Sequence, residues 1–409
     1  MLIASTKDAE QISLITRIWS REKLVRMGKT DGFYCPVCRA PVRLKMGTKR
    51  CWHFAHQPHH ACFADGEPET FAHVSGKEDL FHWCKDTGRS PQLEHYLPAL
   101  RQRPDLYLPG FEPTVIEYQC SVIPEHSFIL RSKGYLDAHM TPVWVIGTDH
   151  YHRQRGKIRL SGFTTMAIRQ SRTFPETHSF SSPYFVCFYD PSARLIRCVH
   201  ILSPLSKTHF ISQENSNTLS DFRPYQLISP PQKFLPAPFK RYWLEAKRRK
   251  RQAVPHRMTH EEYVLRTQTY QLRHYFACYP SFVGLPHCSF IHLMNPPLLW
   301  QMWVYLFMGV LEPEHYVMPR QIIEEAALRG MGALYELRCL PLCPLKTADQ
   351  LVSIYLEQLV RLRVAEKMDD RYRLIGLPPK DLLLSRLLEE DQRVLERLEK
   401  SLLLNPINE

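Results

Sequence analysis

No run of apolar residues in this 409-residue chain is long enough to cross a bilayer. The most apolar stretch, PPLLWQMWVYLFMGVL at 296–311, is interrupted by Gln301 and falls short of the ~20 residues that a spanning helix needs. It reads as a buried helix. The first residues, MLIASTKDAEQISLI, show no basic segment followed by an apolar one, so no signal peptide is expected. The 12 cysteines are scattered over the whole length, unlike the dense frameworks of small secreted domains, and disulfides are not expected. No GxxxxGK[ST] occurs, which disfavours an ATP-driven motor or recombinase. No repeat of fixed period stands out. These absences leave a soluble, reduced, cytoplasmic protein as the expectation, with no membrane partner.

What is present in excess is positive charge: 53 Lys and Arg against 41 Asp and Glu, a net +12. A chain this basic usually meets a polyanion, most often nucleic acid, although a merely soluble basic surface has the same composition. Apolar residues at 44% and aromatics at 11% are globular values. The length predicts more than one core. We expect an N-terminal region with a metal module over 1–66 and an α/β domain over 67–160. An irregular linker with one hairpin over 161–239 and a helical C-terminal domain over 240–409 complete the division.

The metal module starts from Cys35-Pro-Val-Cys38 and His53-Phe-Ala-His56, two ligand pairs across a short basic loop. Structural Zn²⁺ takes four Cys or His ligands in a tetrahedron. Cys35, Cys38, His53 and His56 meet that requirement around a predicted hairpin, as a small zinc ribbon. Cys51 and Cys62 lie near enough to replace one histidine. A site with four protein ligands is closed, so its zinc is structural, not catalytic. Arg39, Arg43, Lys45, Lys49 and Arg50 form a basic surface around it that either touches phosphates or is simply solvated.

Beyond the module, HVSGKEDLFHWCKDTG has helical spacing and stops at Gly88. Three strand-like runs follow, SPQLEHYL, RPDLYLP and TVIEYQCS, then a helical HSFILRSKGYLDAHM and an apolar strand, PVWVIG. The order is αβββαβ, an α/β domain with a mixed sheet. Glu117 and Gln119 share a strand face, and Asp105 sits beside Glu117 if its strand pairs with that one. Val115, Ile116 and Tyr118 flank Glu117, so an unpaired charge there would be costly. Converging carboxylates make a hard-oxygen site suited to Mg²⁺ or Mn²⁺, which can activate water at a scissile phosphate. Glu94, on the first strand, is a third candidate ligand. His73 and Lys77 share a helix face at i, i+4, as do Arg131 and Tyr135. Both pairs are candidate phosphate contacts, or alternatively a helix cap and a buttress of the sheet.

Six segments in order, CPVC…HFAH, TFAHVSGK, PDLYL, IEYQCS, RSKGY and PVWVIG, resemble the competence protein CoiA family over about residues 20–150. That resemblance implies a cytoplasmic factor in DNA uptake and recombination during natural transformation, acting on single-stranded or branched DNA with a recombinase or another transformation protein. It also implies a restriction-endonuclease-like core of the PD-(D/E)xK nuclease class. Carried over, the motif aspartate is Asp105, the acid of the next strand is Glu117, and the lysine position is Gln119. Glutamine can hydrogen-bond a water but brings no positive charge. Either Lys77 supplies that charge from the preceding helix, or the nuclease is weak or only binds DNA.

The C-terminal half is mostly helical. Lys247, Arg248, Arg249, Lys250 and Arg251 form a basic run just after Tyr242 and Trp243, the strongest candidate there for tracking a nucleic-acid strand. Residues 347–375 have the cadence of a winged helix, a helix and then a hairpin turning at Asp369-Asp370, with PRQIIEEAALRG as the preceding helix. Three readings stand: a metal-dependent nuclease, a non-catalytic DNA-binding adaptor, and a winged-helix regulator.

Overall fold

The structure is a computed structural model that describes residues 1–15, 19–47, 52–58, 62, 70–173, 180–253, 257–312, 314–375 and 383–404. Along the chain run β1 (Ile3–Ser5), β2 (Gln11–Ser13), α1 (Arg21–Thr30), β3 (Val42–Lys45), β4 (His53–His56) and α2 (Phe71–Asp86). Next come β5 (Gln92–Leu93), β6 (Leu106–Leu108), β7 (Thr114–Gln119), α3 (Glu125–Asp137) and β8 (Thr141–Gly147). Then follow β9 (His152–Gln154), β10 (Lys157–Arg159), α4 (Gly162–Met166), β11 (Arg169–Gln170), β12 (Tyr184–Asp190), β13 (Leu195–Pro204) and β14 (His209–Thr218). The remainder is α5 (Pro236–Gln252), α6 (His260–Gln271), α7 (Pro297–Gly309), α8 (Pro319–Leu328), α9 (Ala348–Arg361), β15 (Ala365–Met368), β16 (Arg371–Leu374) and α10 (Leu384–Leu404). Among the described residues no helix is long and apolar enough to cross a membrane.

Two compact units divide these elements: Met1–Tyr151, Val186–Cys198 and Asn215–Pro231 form the first, and His152–Phe185, Val199–Glu214 and Gln232–Glu409 the second. In the first unit, α2 to β8 reproduce the αβββαβ order. Helix α2 begins at Thr70, whose hydroxyl accepts the His73 amide, and stops before Gly88 at φ +79°, a left-handed position that glycine enters cheaply. β5, β6 and β7 pair antiparallel, while β7 and β8 are parallel. A parallel pair needs a crossover, and α3 provides it. Every residue of β8 is buried, and β12 adds to it in parallel through Cys187 opposite Val145. The N-terminal elements share a smaller core of Ala4, Ile12, Leu24, Phe33, Val42 and Phe54.

The second unit surrounds an apolar core in which Trp300 and Trp303 of α7 are fully buried. α7 is the apolar run at 296–311. Its polar Gln301 is also buried, accepting the amides of Gly284 and Leu285 at 2.7 Å and donating to the Leu285 carbonyl. Residues 161–239, expected as a linker with one hairpin, instead hold three long strands and the short α4 and β11. The buried apolar residues of YFVCFY and of IRCVHIL carry strand order further than the local Ser and Pro content indicates. α8, α9 and the β15–β16 hairpin follow one another in the order a winged helix has, with Asp369 at φ +53° in the turn.

Candidate active site and metal cluster

The first site is set by the register of β6 on β7. Leu106 faces Ile116 and Tyr107 faces Val115, so the next pair outward is Asp105 opposite Glu117. The Asp105 carboxylate fixes this by accepting the Tyr118 backbone amide at 2.9 Å. Helix α2 crosses close to this corner because position 76 is glycine: a Cβ there would lie 2.1 Å from the Tyr118 ring. With Gly76 in contact, the face carrying His73 and Lys77 reaches the acids. Lys77 Nζ lies 3.5 Å from Asp105 and donates to Glu94 at 2.7 Å, with only 2% of its side chain exposed. His73 Nε2 lies 3.5 Å from the other Asp105 oxygen without a hydrogen-bond partner among the described residues. From α3, Arg131 and Tyr135 both donate to Glu117 Oε1 at 2.5 Å.

The two acids titrate apart. Burial by itself would raise the Asp105 carboxyl, but Lys77, His73 and Arg131 outweigh it and hold it well below the carboxylate range. Glu117 is raised, because burial and the Asp105 charge exceed the help from Arg131 and Tyr135. Arg131 is raised despite burial, through Glu117, Tyr135 and Asp105. Divergent proton affinities in a buried cluster of acids and cations are found in reactive sites and in structural ion-pair networks alike.

Several sequence expectations change here. Glu94, expected as a third metal ligand, turns both carboxylate oxygens to the Leu2 amide at 3.1 and 3.0 Å, and meets Ile3 and Lys77 as well. Gln119 shares the Glu117 face but donates to the Ser121 carbonyl at 3.0 Å. Arg131 and Tyr135, read as phosphate contacts or a buttress of the sheet, each donate one bond to Glu117 Oε1. The role of Tyr118, as the ring that receives Gly76, went unread; a glycine in the middle of a helical pattern was the available signal.

The second site lies in the N-terminal module. Cys35, Cys38, His56 and Cys62 place one ligand atom each within 4.8 Å of all the others. Cys38 Sγ lies 3.4 Å from His56 Nε2, and Cys35 Sγ 4.0 Å from Cys62 Sγ. Two sulfurs bound to Zn²⁺ at about 2.3 Å sit about 3.8 Å apart in a tetrahedron, so this cluster could hold zinc. His53 is not part of it, which corrects the HxxH expectation: Cys62 takes its place. His53 and His56 stand three residues apart in a strand, so they point to opposite faces. His56 shares the face of buried Phe54. Burial pushes the Cys35 thiol up, so a thiolate there depends on the charge of a metal beside it. Cys51, Lys49 and Arg50 lie outside the described residues.

The basic run of α5 separates into two faces. Arg248, Arg249 and Lys250 are exposed, and Arg249 pairs with Glu245. Lys247 and Arg251 are buried and unavailable to a nucleic-acid strand, a correction set by their spacing. One turn apart, both reach Asp391: Lys247 at 2.8 Å, and Arg251 through two bonds at 2.8 Å. Lys247 also donates to the Ser281 and Val283 carbonyls. Trp243 is buried too, beneath the Lys247 ammonium.

Three models of one family match successive parts of the chain. The family described as Competence protein CoiA, nuclease-like domain, matches residues 69–232. The N-terminal and C-terminal domains of the same family match residues 16–65 and 239–375. A protein of Bacillus subtilis (strain 168) named Competence protein CoiA is 30% identical over 287 residues, covering 68% of this chain and 73% of that one. No solved structure matches.

Proposed function

The chain belongs to the competence protein CoiA family, and from that premise we propose that it is a metal-dependent nuclease acting on incoming DNA during natural transformation. One observation carries the reading: Asp105 and Glu117 are opposed on paired strands, with Lys77 and Arg131 forming ion pairs to them. The hard oxygens of Asp105 and Glu117 suit Mg²⁺ or Mn²⁺, which when bound supplies a polarised phosphate and a more acidic water. Lys77 brings from α2 the positive charge that Gln119 lacks, a PD-(D/E)xK arrangement with its lysine displaced onto a helix. Arg131, 28% exposed, neutralises Glu117 from one side and offers the remainder of its guanidinium to the phosphodiester. His73, whose Nε2 faces Asp105 with no hydrogen-bond partner among the described residues, is placed to exchange a proton with the leaving oxygen. Zn²⁺ in the N-terminal cluster has a structural role. The substrate is single-stranded or branched DNA in the cytoplasm, handled together with a recombinase. α8, α9 and the β15–β16 hairpin serve as a winged-helix-like module, and exposed Arg248, Arg249 and Lys250 as a strand contact.

A second reading, a DNA-binding adaptor that does not cut, is favoured by the two donors, Arg131 and Tyr135, that Glu117 Oε1 already accepts. Labelled single-stranded, duplex and branched DNA incubated with the full chain and Mn²⁺ or Mg²⁺ separates the two. The nuclease reading expects cleavage, reduced about a thousandfold or more by Asp105→Ala or Glu117→Ala while binding persists. Cleavage that survives in both variants removes the site assignment, and no cleavage by the wild-type chain on any of the substrates selects the adaptor.

A further inference from the structure

β1 is the element shared by the metal cluster and the Lys77 site. The backbone of β1 and of the two residues before it bonds to the two segments that carry metal ligands. Ser5 exchanges two bonds of 2.8 Å with Tyr34, the residue before Cys35. The Met1 carbonyl accepts the Phe54 amide at 2.9 Å, two residues before His56. The amides of Leu2 and Ile3 point at the Glu94 carboxylate, at 3.0–3.1 and 3.4 Å. Glu94 in turn takes the Lys77 ammonium at 2.7 Å, and Lys77 faces Asp105 at 3.5 Å. The Glu94 side chain is 3% exposed and Lys77 2%, so water does not stand in for either partner.

A carboxylate receiving backbone amides and an ammonium together is committed in position, because moving it would bury an unpaired charge. Glu94 itself sits at φ +46°, a left-handed conformation that a residue with a side chain adopts at a cost and that surrounding contacts must hold. Its backbone amide donates to the Asp105 carbonyl at 2.9 Å, so the same residue is tied to the chain that carries the acid.

We infer that Glu94 is the positioning residue through which the metal cluster sets Lys77 against Asp105, so that zinc in the N-terminal module orders the candidate active site. The inference deepens the nuclease reading and rests on it for the role of Lys77. The physical connection itself does not depend on cleavage. When zinc is lost, the CxxC turn and β4 lose their common ligand, β1 loses its anchors, and Glu94 is left to choose between β1 and Lys77. Because coupling between two sites is reciprocal, a change at Glu94 must also be felt by zinc.

Two readouts test this on the full chain without using DNA. The first is zinc affinity, by competition with a chromophoric chelator, in wild type and Glu94→Gln. Glutamine keeps the side chain's shape but cannot hold Lys77 and two amides as a carboxylate does. Zinc is expected to bind about tenfold more weakly, as a coupling of typical size requires. The second is acylation of Lys77 by an amine-reactive reagent, followed by mass spectrometry in the wild-type chain before and after zinc removal. A residue this buried is expected to label about tenfold faster once its local anchor opens. Unchanged zinc affinity in a folded Glu94→Gln chain, or unchanged Lys77 labelling after zinc removal, overturns the inference. A chain that shows both effects but cleaves no DNA supports this inference and rejects only the nuclease reading.

Discussion

Asp105 and Glu117 carry the same functional group and hold their protons on opposite sides of its ordinary range. Their neighbours decide the difference. Asp105 faces the Lys77 ammonium, the His73 ring and a backbone amide, whereas Glu117 is buried in β7 near the Asp105 charge. The sign of the pH effect follows. Because Asp105 binds its proton less tightly folded than unfolded, its contribution to stability is present above its unfolded pKa of about 3.9 and is lost as pH falls below it. Glu117 runs the other way, favouring the folded state when protonated and losing that contribution as pH rises. The gap in unfolding free energy between wild type and Asp105→Asn, from urea titrations, should therefore be larger at pH 7 than at pH 3. An equal gap at both values would remove the assigned ion pairs. The residue identities were legible in the sequence, since an acid in an apolar strand demands a partner. Which donor goes to which acid was not, because Arg131, Tyr135, Lys77 and His73 were all within plausible reach.

At the scale of the element, periodicity explains both what was readable and what was missed. Strand alternation put Asp105 and Glu117 together, and helical spacing put His73 and Lys77 on one face of α2. The same rule excludes His53 from the metal cluster, but only once residues 53–56 are known to be a strand and not a turn. CxxC spacing is self-sufficient because its turn is local. The remaining ligands come from a strand and from Cys62, beyond the end of that strand. Elemental analysis should accordingly find about one zinc per wild-type chain and in His53→Ala, and less than half of that in Cys62→Ser. Zinc lost from His53→Ala and kept in Cys62→Ser would restore the HxxH assignment. Gly76 belongs to this scale too: α2 carries His73 and Lys77 to the sheet because that position lacks a Cβ.

At the scale of the whole molecule, charge is distributed in a way composition conceals. The net +12 includes Lys247 and Arg251, which are buried in the second unit around Asp391. Burial lowers Lys247 to about 8, against the pull of Asp391, with Arg251 adding to the fall. Removing the one anion leaves two buried cations, and breaking such a group costs about 3–5 kcal/mol. Asp391→Ala should lower the melting temperature by several degrees, measured by calorimetry, and Arg248→Ala should leave it nearly unchanged. Equal tolerance of both substitutions would mean that this cluster does not hold α10 to α5. Sequence by itself determined the αβββαβ order, the strand that carries Glu117 and the CxxC turn, because each depends on periods of two to four residues. Only tertiary structure decided that Glu94 serves β1 and Lys77, that Cys62 replaces His53, and that two of the five residues of a basic run are interior. Those outcomes depend on contacts between residues as far apart as Lys247 and Asp391, for which local patterns carry no record.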